Sequence, residues 1–551
     1  MLSLATRGDY ATLLDAAALQ GGAAPAVIYL ETGCDPIIVT REAFRQAAGR
    51  IAAALHQHGI RPGDLVIIAH TQNLESIYAF WGALLVGAIP SMFPTLTDKL
   101  DPDIYRHSMA ELVRFSGVRA ILTTDAFAPQ LASIVDCVVL ASSAIIPGEM
   151  AEISVPEAET IAFLQHSSGT TGLQKGVALT HVAVLNQLAA YSDTLRLTSE
   201  DVIVSWLPLY HDMGLIAGFL LPLVQGIPLV LMSPFDWVQH PALLFRAISD
   251  YRGTLCWLPN FAYNHLSRRT RKHDLEGISL HTMRAFINCS EPVQEDSHQQ
   301  FLARFADYGL ARKMLAVSYA MAENTFAVTQ TPIGAYPALD VIDRETLETR
   351  QIARPASADS GDALTVVSCG SRIPGTSLRV VDDKGQPQPE RQVGEFAIQS
   401  NYLLREYYHR PDLQPFVDGW YRTGDMGYLA DGQAYVIGRK KDLIINAGKN
   451  VYPQDIEAII NTIDGVHPGR CVVFGVPDSR EGTELIAVVA EVDDGIDRQA
   501  LIKEIRMAVA SQTTVSASFV TLVDAKWLVK TSSGKIARRA NRDKWLKAQQ
   551  S

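Results

Sequence analysis

The run Ser167-Ser168-Gly169-Thr170-Thr171-Gly172-Leu173-Gln174-Lys175-Gly176-Val177 packs hydroxyls, glycines and one lysine into a single short loop. Glycine lets backbone N–H groups approach an anion closely, and hydroxyls and an ammonium group add donors and charge. The composition therefore suits the phosphates of a nucleotide. The pattern G-x-x-x-x-G-K-[ST] is absent, which removes the ordinary P-loop NTPases. Taken alone, a flexible Gly/Thr turn has the same composition. Four further segments carry usable chemistry. Tyr319-Ala320-Met321-Ala322-Glu323-Asn324-Thr325 follows an apolar strand; its ring could stack on a base, and Glu323 could hold Mg2+, since hard cations take oxygen ligands. Trp420-Tyr421-Arg422-Thr423-Gly424-Asp425-Met426-Gly427-Tyr428 contains a Gly-Asp turn whose carboxylate could accept both hydroxyls of a ribose. Gly438-Arg439-Lys440-Lys441-Asp442, with Gly448-Lys449-Asn450, and Lys530-Thr531-Ser532-Ser533-Gly534-Lys535-Ile536 supply cations. Singly, each of these charges is also what a solvated face carries.

In this fixed order the five motifs resemble the core motifs of the adenylate-forming superfamily of acyl-CoA synthetases, luciferases and peptide-synthetase adenylation domains, over nearly the whole chain. The resemblance implies an ATP-dependent ligase in which a carboxylic acid displaces pyrophosphate to give an acyl-adenylate. Ser167, Ser168, Gly169, Thr170, Thr171, Gly172 and Lys175 would hold the terminal phosphates, and Glu323 would bind Mg2+. Tyr319, with Ala320 and Met321, would lie against adenine, and Ser290, Glu291 and Pro292 would form the other adenine-side loop. Asp425, helped by Arg439, would grip the ribose. Lys441 would be the hinge on which a small C-terminal domain turns between half-reactions, and Lys535 would contact the carboxylate and the α-phosphate. His211, in Leu207-Pro208-Leu209-Tyr210-His211-Asp212-Met213-Gly214, matches an aromatic position near the substrate carboxylate; a satisfied core histidine is the alternative. The candidate catalytic residues are thus Lys535, Glu323, Thr170 and His211. The chain departs from the family's usual glycine at Ala320 and Ser400, and from its usual proline at Val529.

Within the superfamily, three features resemble the fatty acyl-AMP ligases: Ser205 to Leu215, Asp442 to Glu457, and extra residues between Glu323 and Cys369 that include Asp340 to Glu345. In those ligases such an insertion restrains the C-terminal domain and disfavours CoA, so the implied acceptor is the phosphopantetheine thiol of an acyl carrier protein. A neutral surface loop is the other reading of the insertion, and an acyl-CoA synthetase the other enzyme. A non-catalytic nucleotide-binding module is a third class, opposed by the joint presence of Lys175, Glu323 and Lys535. The segment Trp206 to Tyr263, rich in Trp, Leu, Phe and Pro, is the expected acyl pocket, which suits a chain worth ~0.8 kcal/mol per buried CH2. The basic segments Arg268 to Lys272 and Lys535 to Lys547 would either dock an acidic carrier or serve ordinary solubility.

The elements that must position these residues read as two domains. In 551 residues there is more chain than one ordinary core takes up. Residues 1–438 alternate helical and β-rich runs, as in Ala43 to Gly59, Leu65 to Ile68 and Glu75 to Gly87, which predicts α/β layers of stacked sheets and helices with largely parallel sheets. Residues 439–551 predict a small, mobile α+β domain: helix Tyr452 to Ile463, strands Arg470 to Val476 and Leu485 to Val492, helix Arg498 to Gln512, strand Ser518 to Val523, then a basic tail ending in a helix. Arg354 to Asp362 reads as a loop. A net charge of −11 argues against general nucleic-acid binding. Six cysteines without C-x-x-C spacing suit reduced, mostly buried thiols, and no signal peptide or clean apolar span is visible, so a cytoplasmic protein is expected.

Overall fold

The computed structural model describes residues 10–16, 21–96, 102–145, 155–166, 175–478, 483–531 and 535–550. They divide into two compact units. The first comprises Met1–Pro337, Ser371–Thr376 and Gln399–Pro415; the second comprises Ala338–Gly370, Ser377–Ile398 and Phe416–Ser551.

The first unit is built on a nine-stranded sheet. Six neighbouring strands are parallel, in the order Leu315–Ala320, Ala285–Cys289, Leu255–Leu258, Ile203–Ser205, Leu229–Met232, Pro25–Leu30. Antiparallel strands Ala327–Gln330 and Ser371–Arg372 close one edge, and Ile37–Thr40 the other. The central strands are buried throughout and apolar except for Asn288, as parallel strands covered on both faces must be. A second, all-parallel sheet runs Ile89–Phe93, Leu65–Ala69, Val118–Thr123, Val138–Ala141. Helices Arg41–Gln57 and Leu74–Leu85 serve these layers. The first starts where the Thr40 hydroxyl accepts the Ala43 N–H at 3.1 Å. They cross so closely that a Cβ at Gly82 would lie 2.5 Å from Ile51 Cβ, which fixes glycine there. The apolar stretch Ile216 to Met232 becomes part of π-helix Met213–Leu220, helix Leu221–Gln225 and strand Leu229–Met232, all buried. Among the described residues no helix is long and apolar enough to cross a membrane.

The second unit contains a five-stranded sheet of strands Thr376–Val381, Gly394–Ser400, Trp420–Ala430 and Phe416–Val417, with Gln433–Arg439 pairing along Trp420–Ala430. Its second half is the α+β pattern read from sequence. Strands Val466–Asp478, Thr483–Val492 and Ala517–Val523 form one sheet. Helices Pro453–Ile460 and Arg498–Gln512 pack on one face through Ile456, Ile460, Ile505 and Val509. The C-terminal helix Arg538–Gln550 covers the other, its Trp545 against Phe474 and Val489.

Two local expectations change and one alternative reading closes. Asp425 does not sit in a turn: Trp420–Ala430 is one long strand, and Gly424 (φ +73°) precedes a register shift between Met426 and Gly427. A bulge and a turn both ask for a residue at positive φ, so the sequence signal is shared. Tyr319 lies within strand Leu315–Ala320 rather than after it. The insertion is not a neutral loop. Leu339–Asp343 pairs antiparallel with Ala363–Val367, and helix Arg344–Arg350 stands between them, capped by the Asp343 carboxylate on the Thr346 N–H at 2.8 Å. Ile342 and Leu347 bury themselves with Tyr428, Tyr435 and Tyr452. Asp340 takes the Arg391 guanidinium at 2.9 Å and the Tyr428 hydroxyl at 2.8 Å. Helix Arg344–Arg350 also grips the C-terminal segment: Asn450 Nδ2 donates to the Glu348 carbonyl at 3.4 Å, and the Thr514 hydroxyl donates to the Glu348 carboxylate.

Candidate active site

The candidate residues fall in both units, and each set is built by its own local structure. Ser167 to Gln174, with Ser167, Ser168, Gly169, Thr170, Thr171 and Gly172, lie outside the described residues. The strands on either side, Ile161–His166 and Gly176–Thr180, pair antiparallel with His166 opposite Gly176. Glu406–Tyr407 adds a third strand beside Gly176–Thr180, placing Tyr407 opposite Val177. The ring of Tyr407 lies under the Lys175 ammonium, 4.9 Å from Nζ to centroid, and its hydroxyl donates to Glu323 Oε1 at 3.0 Å. One tyrosine thereby carries Lys175 over its ring face and Glu323 at its hydroxyl. Tyr407 does not stand out in the sequence. Its signal was present only as a Tyr in Arg405-Glu406-Tyr407-Tyr408, a run that becomes meaningful once it pairs with the strand after the loop.

Glu323 is held by its own backbone. Its carbonyl accepts the Leu404 N–H at 2.8 Å. The next residues are fastened too: the Ser400 hydroxyl donates to Asn324 Oδ1 at 2.6 Å, Asn324 Nδ2 to the Ala327 carbonyl at 2.8 Å, and the Thr325 hydroxyl to the Tyr402 carbonyl at 2.7 Å. Ser400, where the family has glycine, therefore has a bond of its own to make. Thr325 is β-branched at φ +62°, a strained conformation that these bonds over-determine. One partly exposed carboxylate suits Mg2+ carried mainly by phosphate oxygens and water, as that ion prefers. Replacing Tyr407 with Phe keeps the ring under Lys175 and removes the bond to Glu323. Adenylation is expected to slow roughly threefold to tenfold, with the Mg2+ titration of activity displaced to higher concentration; an unmoved Mg2+ curve would mean that the hydroxyl does not position Glu323.

On the adenine side, Tyr319 is buried with its hydroxyl 3.9 Å from Met321 Sδ, and the Met321 N–H bonds the Phe326 carbonyl at 2.9 Å. Ala320 ends the strand next to them. Ser290, at φ +71°, places its hydroxyl 4.0 Å from Met213 Sδ, and Glu291 accepts the Phe261 N–H at 2.9 Å; Pro292 follows. His211 is partly buried, its ring 5.0 Å from that of Tyr210, at the entrance to π-helix Met213–Leu220. A Cβ at Gly214 would meet the Pro208 carbonyl oxygen at 2.2 Å, so the turn carrying His211 closes only over a glycine. The Ser290 to Pro292 segment and the His211 turn are thus neighbours through Met213. In the expected acyl region Trp206 and Trp237 stack at 3.6 Å, with Phe261 edge-on to both.

In the second unit Asp425, buried, lies opposite Arg439 in the strand pair and accepts its Nε–H at 3.0 Å. A second carboxylate braces this ribose candidate. Glu395 accepts from the Gly424 N–H at 3.0 Å, from Arg422 Nη2 at 2.5 Å and from Lys440 Nζ at 3.3 Å. Burial pushes the Glu395 carboxyl up, and the Arg422 guanidinium, the Gly424 N–H and Lys440 more than offset it, leaving it below its ordinary value. A depressed folded-state value means stability that is present above the unfolded value, about 4.3, and lost as pH falls through the folded one. Glu395→Gln is therefore expected to lower the melting temperature at pH 7, with the difference from wild type closing below about pH 4.

Lys441 is exposed in the short 3-10 turn Lys440–Asp442. Lys535 stands on the returning arm of a tight hairpin. Lys530 bridges Ile536, the Thr531 N–H bonds the Lys535 carbonyl at 2.8 Å, and the Ala537 N–H bonds the Val529 carbonyl at 3.0 Å. Buried Asn541 clamps the hairpin's base. Its Oδ1 accepts the Val529 N–H at 2.8 Å, and its Nδ2 donates to the Val529 and Ala537 carbonyls at 2.8 and 2.9 Å. The family's proline at Val529 would have no N–H to give Asn541, which accounts for that departure. Arg538 ties the same hairpin to the segment around Asp442, lying 3.6 Å from Asp442 and 2.7 Å from Glu457.

Within the first unit a cation and a carboxylate, Lys175 and Glu323, meet at one tyrosine, and within the second Asp425 pairs with Arg439 while Lys535 stands on its own hairpin. The family description AMP-binding enzyme matches residues 14–408, and AMP-binding enzyme C-terminal domain matches residues 455–535. The chain is 30% identical to the medium-chain-fatty-acid–[acyl-carrier-protein] ligase JamA of Moorena producens, over 98% of this chain and 96% of that protein. It is 31% identical to the long-chain-fatty-acid–AMP ligase FadD26 of Mycobacterium bovis, over 96% of each. A structure from a study of the fatty acyl-adenylate ligases of E. coli and L. pneumophila superposes with a TM-score of 0.90 at 28% identity, covering 100% of this chain and 99% of the other. The chain belongs to the AMP-binding enzyme family, the adenylate-forming superfamily, and groups there with the fatty acyl-AMP ligases.

Proposed function

We propose that this chain activates a medium- or long-chain fatty acid with ATP and hands the acyl group to an acyl carrier protein. The observation that carries the adenylation reading is the meeting of Lys175 and Glu323 on Tyr407, whose strand pairs with Gly176–Thr180. The fatty acid carboxylate attacks the α-phosphorus of ATP. The bond to the bridging oxygen breaks, and pyrophosphate leaves. Lys175 and the loop from Ser167 to Gly172, Thr170 among them, hold the departing phosphates. Asp425 and Arg439 hold the ribose, and Tyr319 to Met321 with Ser290 to Pro292 flank the adenine. His211 faces the acid, and Lys535 offsets the repulsion between two anions. Glu323 would hold Mg2+, which would add positive charge to the phosphates. In the second half-reaction the carrier's phosphopantetheine thiol attacks the acyl carbonyl, the thiol proton departs, and AMP leaves. Residues 1–438 act as the adenylation domain and residues 439–551 as a lid turning at Lys441. The enzyme works in the cytosol, where its six free cysteines stay reduced.

Carrier protein is preferred to CoA because the insertion is a folded element fastened to the C-terminal segment through Glu348. A restrained lid favours an acceptor that brings binding energy of its own. Pyrophosphate release across fatty, aromatic and terpenoid acids tests the substrate class. Thioester formation with CoA, run beside a phosphopantetheinylated carrier, tests the acceptor. CoA thioester appearing as fast as loaded carrier would reject the carrier reading in favour of an acyl-CoA synthetase.

A further inference from the structure

Helix Asn260–Arg269 and the turn after it carry a cluster of positive charge that the adenylation chemistry does not use. Arg268, Arg269, Arg271 and Lys272 are exposed. Arg246, from helix Ala242–Asp250, reaches the same place, its guanidinium donating to the Glu276 and Asp274 carbonyls at 3.4 and 3.3 Å. Among the described residues none of these five makes an ion pair with a carboxylate, and nearby Asp274 is taken up by His273 at 3.1 Å and the Arg271 N–H at 3.0 Å. Cations at a helix C-terminus complement its dipole, which explains Arg268 and Arg269 locally. It does not explain the three charges beyond the helix, in a protein whose net charge is −11.

Apolar surface borders the cluster. Phe261 (43% exposed) shares a face of the helix with Arg268 and Arg269, at i, i+7 and i+8, while Phe235 and Val238 (both 42%) stand on the neighbouring helix Pro234–Gln239. His265 Nε2, 3.2 Å from the Val238 carbonyl, joins the two helices. A basic cluster rimming exposed aromatic and aliphatic side chains is the footprint of an acidic protein partner with an apolar docking helix. The helix begins at the candidate site: the Phe261 N–H bonds Glu291 of the adenine-side loop. Ten residues of helix span about 15 Å, a distance suited to a flexible prosthetic arm. We propose that this face docks the acidic acyl carrier protein, with Arg268 and Arg269 as its electrostatic anchor. This deepens the acceptor reading given above and rests on it.

The double reversal R268E/R269E tests it, with a phosphopantetheinylated, net-negative acyl carrier protein as acceptor and free pantetheine as the small-thiol control. The expected result is a KM for the carrier raised roughly tenfold or more at low salt, narrowing as salt is added. Pyrophosphate release, transfer to pantetheine and melting temperature should match wild type, and R268K/R269K should keep carrier affinity. A carrier KM unchanged by the reversal overturns the face alone. A wild-type enzyme that forms acyl-AMP and loads no carrier overturns the acceptor reading and the face with it. Binding of anionic phospholipid vesicles that the reversal abolishes, with carrier loading untouched, assigns the patch to a membrane surface and overturns the proposal equally.

Discussion

Lys535→Ala is expected to slow acyl-AMP formation by ~10²–10³-fold while leaving the fold intact. A carboxylate approaching a triphosphate meets like charge, and the transition state gathers more negative charge on the α-phosphate oxygens. A fixed ammonium group at that place is worth most when the charge develops, so its loss falls on kcat more than on KM. The hairpin that presents Lys535 is held by the Thr531–Lys535 and Ala537–Val529 backbone bonds and by the three bonds of Asn541, none of which needs the Lys535 side chain. Melting should therefore be unchanged, and the variant should still pass the acyl group from supplied acyl-AMP to a carrier thiol. Pyrophosphate release and transfer from synthetic acyl-AMP separate the two steps. Wild-type adenylation in the variant would remove the role assigned to this lysine.

The candidate site residues were legible because they are local in sequence: a run of glycines and hydroxyls or a lysine among small residues announces itself within a dozen positions. Helix Arg498–Gln512 has the bounds its periodicity predicts, and helix Arg41–Gln57 lies within two residues of its own. What escaped is long-range. Tyr407 meets Glu323 across 84 residues, and only strand pairing beside Gly176–Thr180 reveals it. Asn541 looks like a surface residue of a basic helix until its side chain is seen under the Lys535 hairpin. Asp340 to Glu345 gives no strong period in sequence, because its order comes from partners far away: Arg391, Tyr428 and the Tyr435 ring stacked 4.9 Å from Tyr428. Polar residues at a strand end read as loop when the tertiary partner that satisfies them is unseen.

Arg538→Ala is expected to destabilise the C-terminal segment by ~3–5 kcal/mol, the largest stability effect foreseen for any single change here. Arg538 donates to both Glu457 oxygens at 2.7 and 2.9 Å, to the Val473 carbonyl at 2.8 Å, and faces Asp442. Removing it leaves the Glu457 carboxylate beside Cys471 in the core with only the Val473 N–H. Burial already pushes Glu457 above its ordinary value against the pull of Arg538. Without that pull it rises further. A raised folded-state value gives stability that is whole at low pH and is lost as pH rises through it. The variant should consequently melt higher at pH 5 than at pH 8. If instead it loses stability equally at both, packing rather than the stranded charge is the cause. The double change Arg538→Leu with Glu457→Leu separates the two further, because trading a buried pair for apolar side chains of similar size is often neutral where breaking the pair is not. Recovery of melting in the double variant would show that the ion pair specifies this corner rather than holding it up. Adenylation should recover with it only so far as the Lys535 hairpin returns to its place.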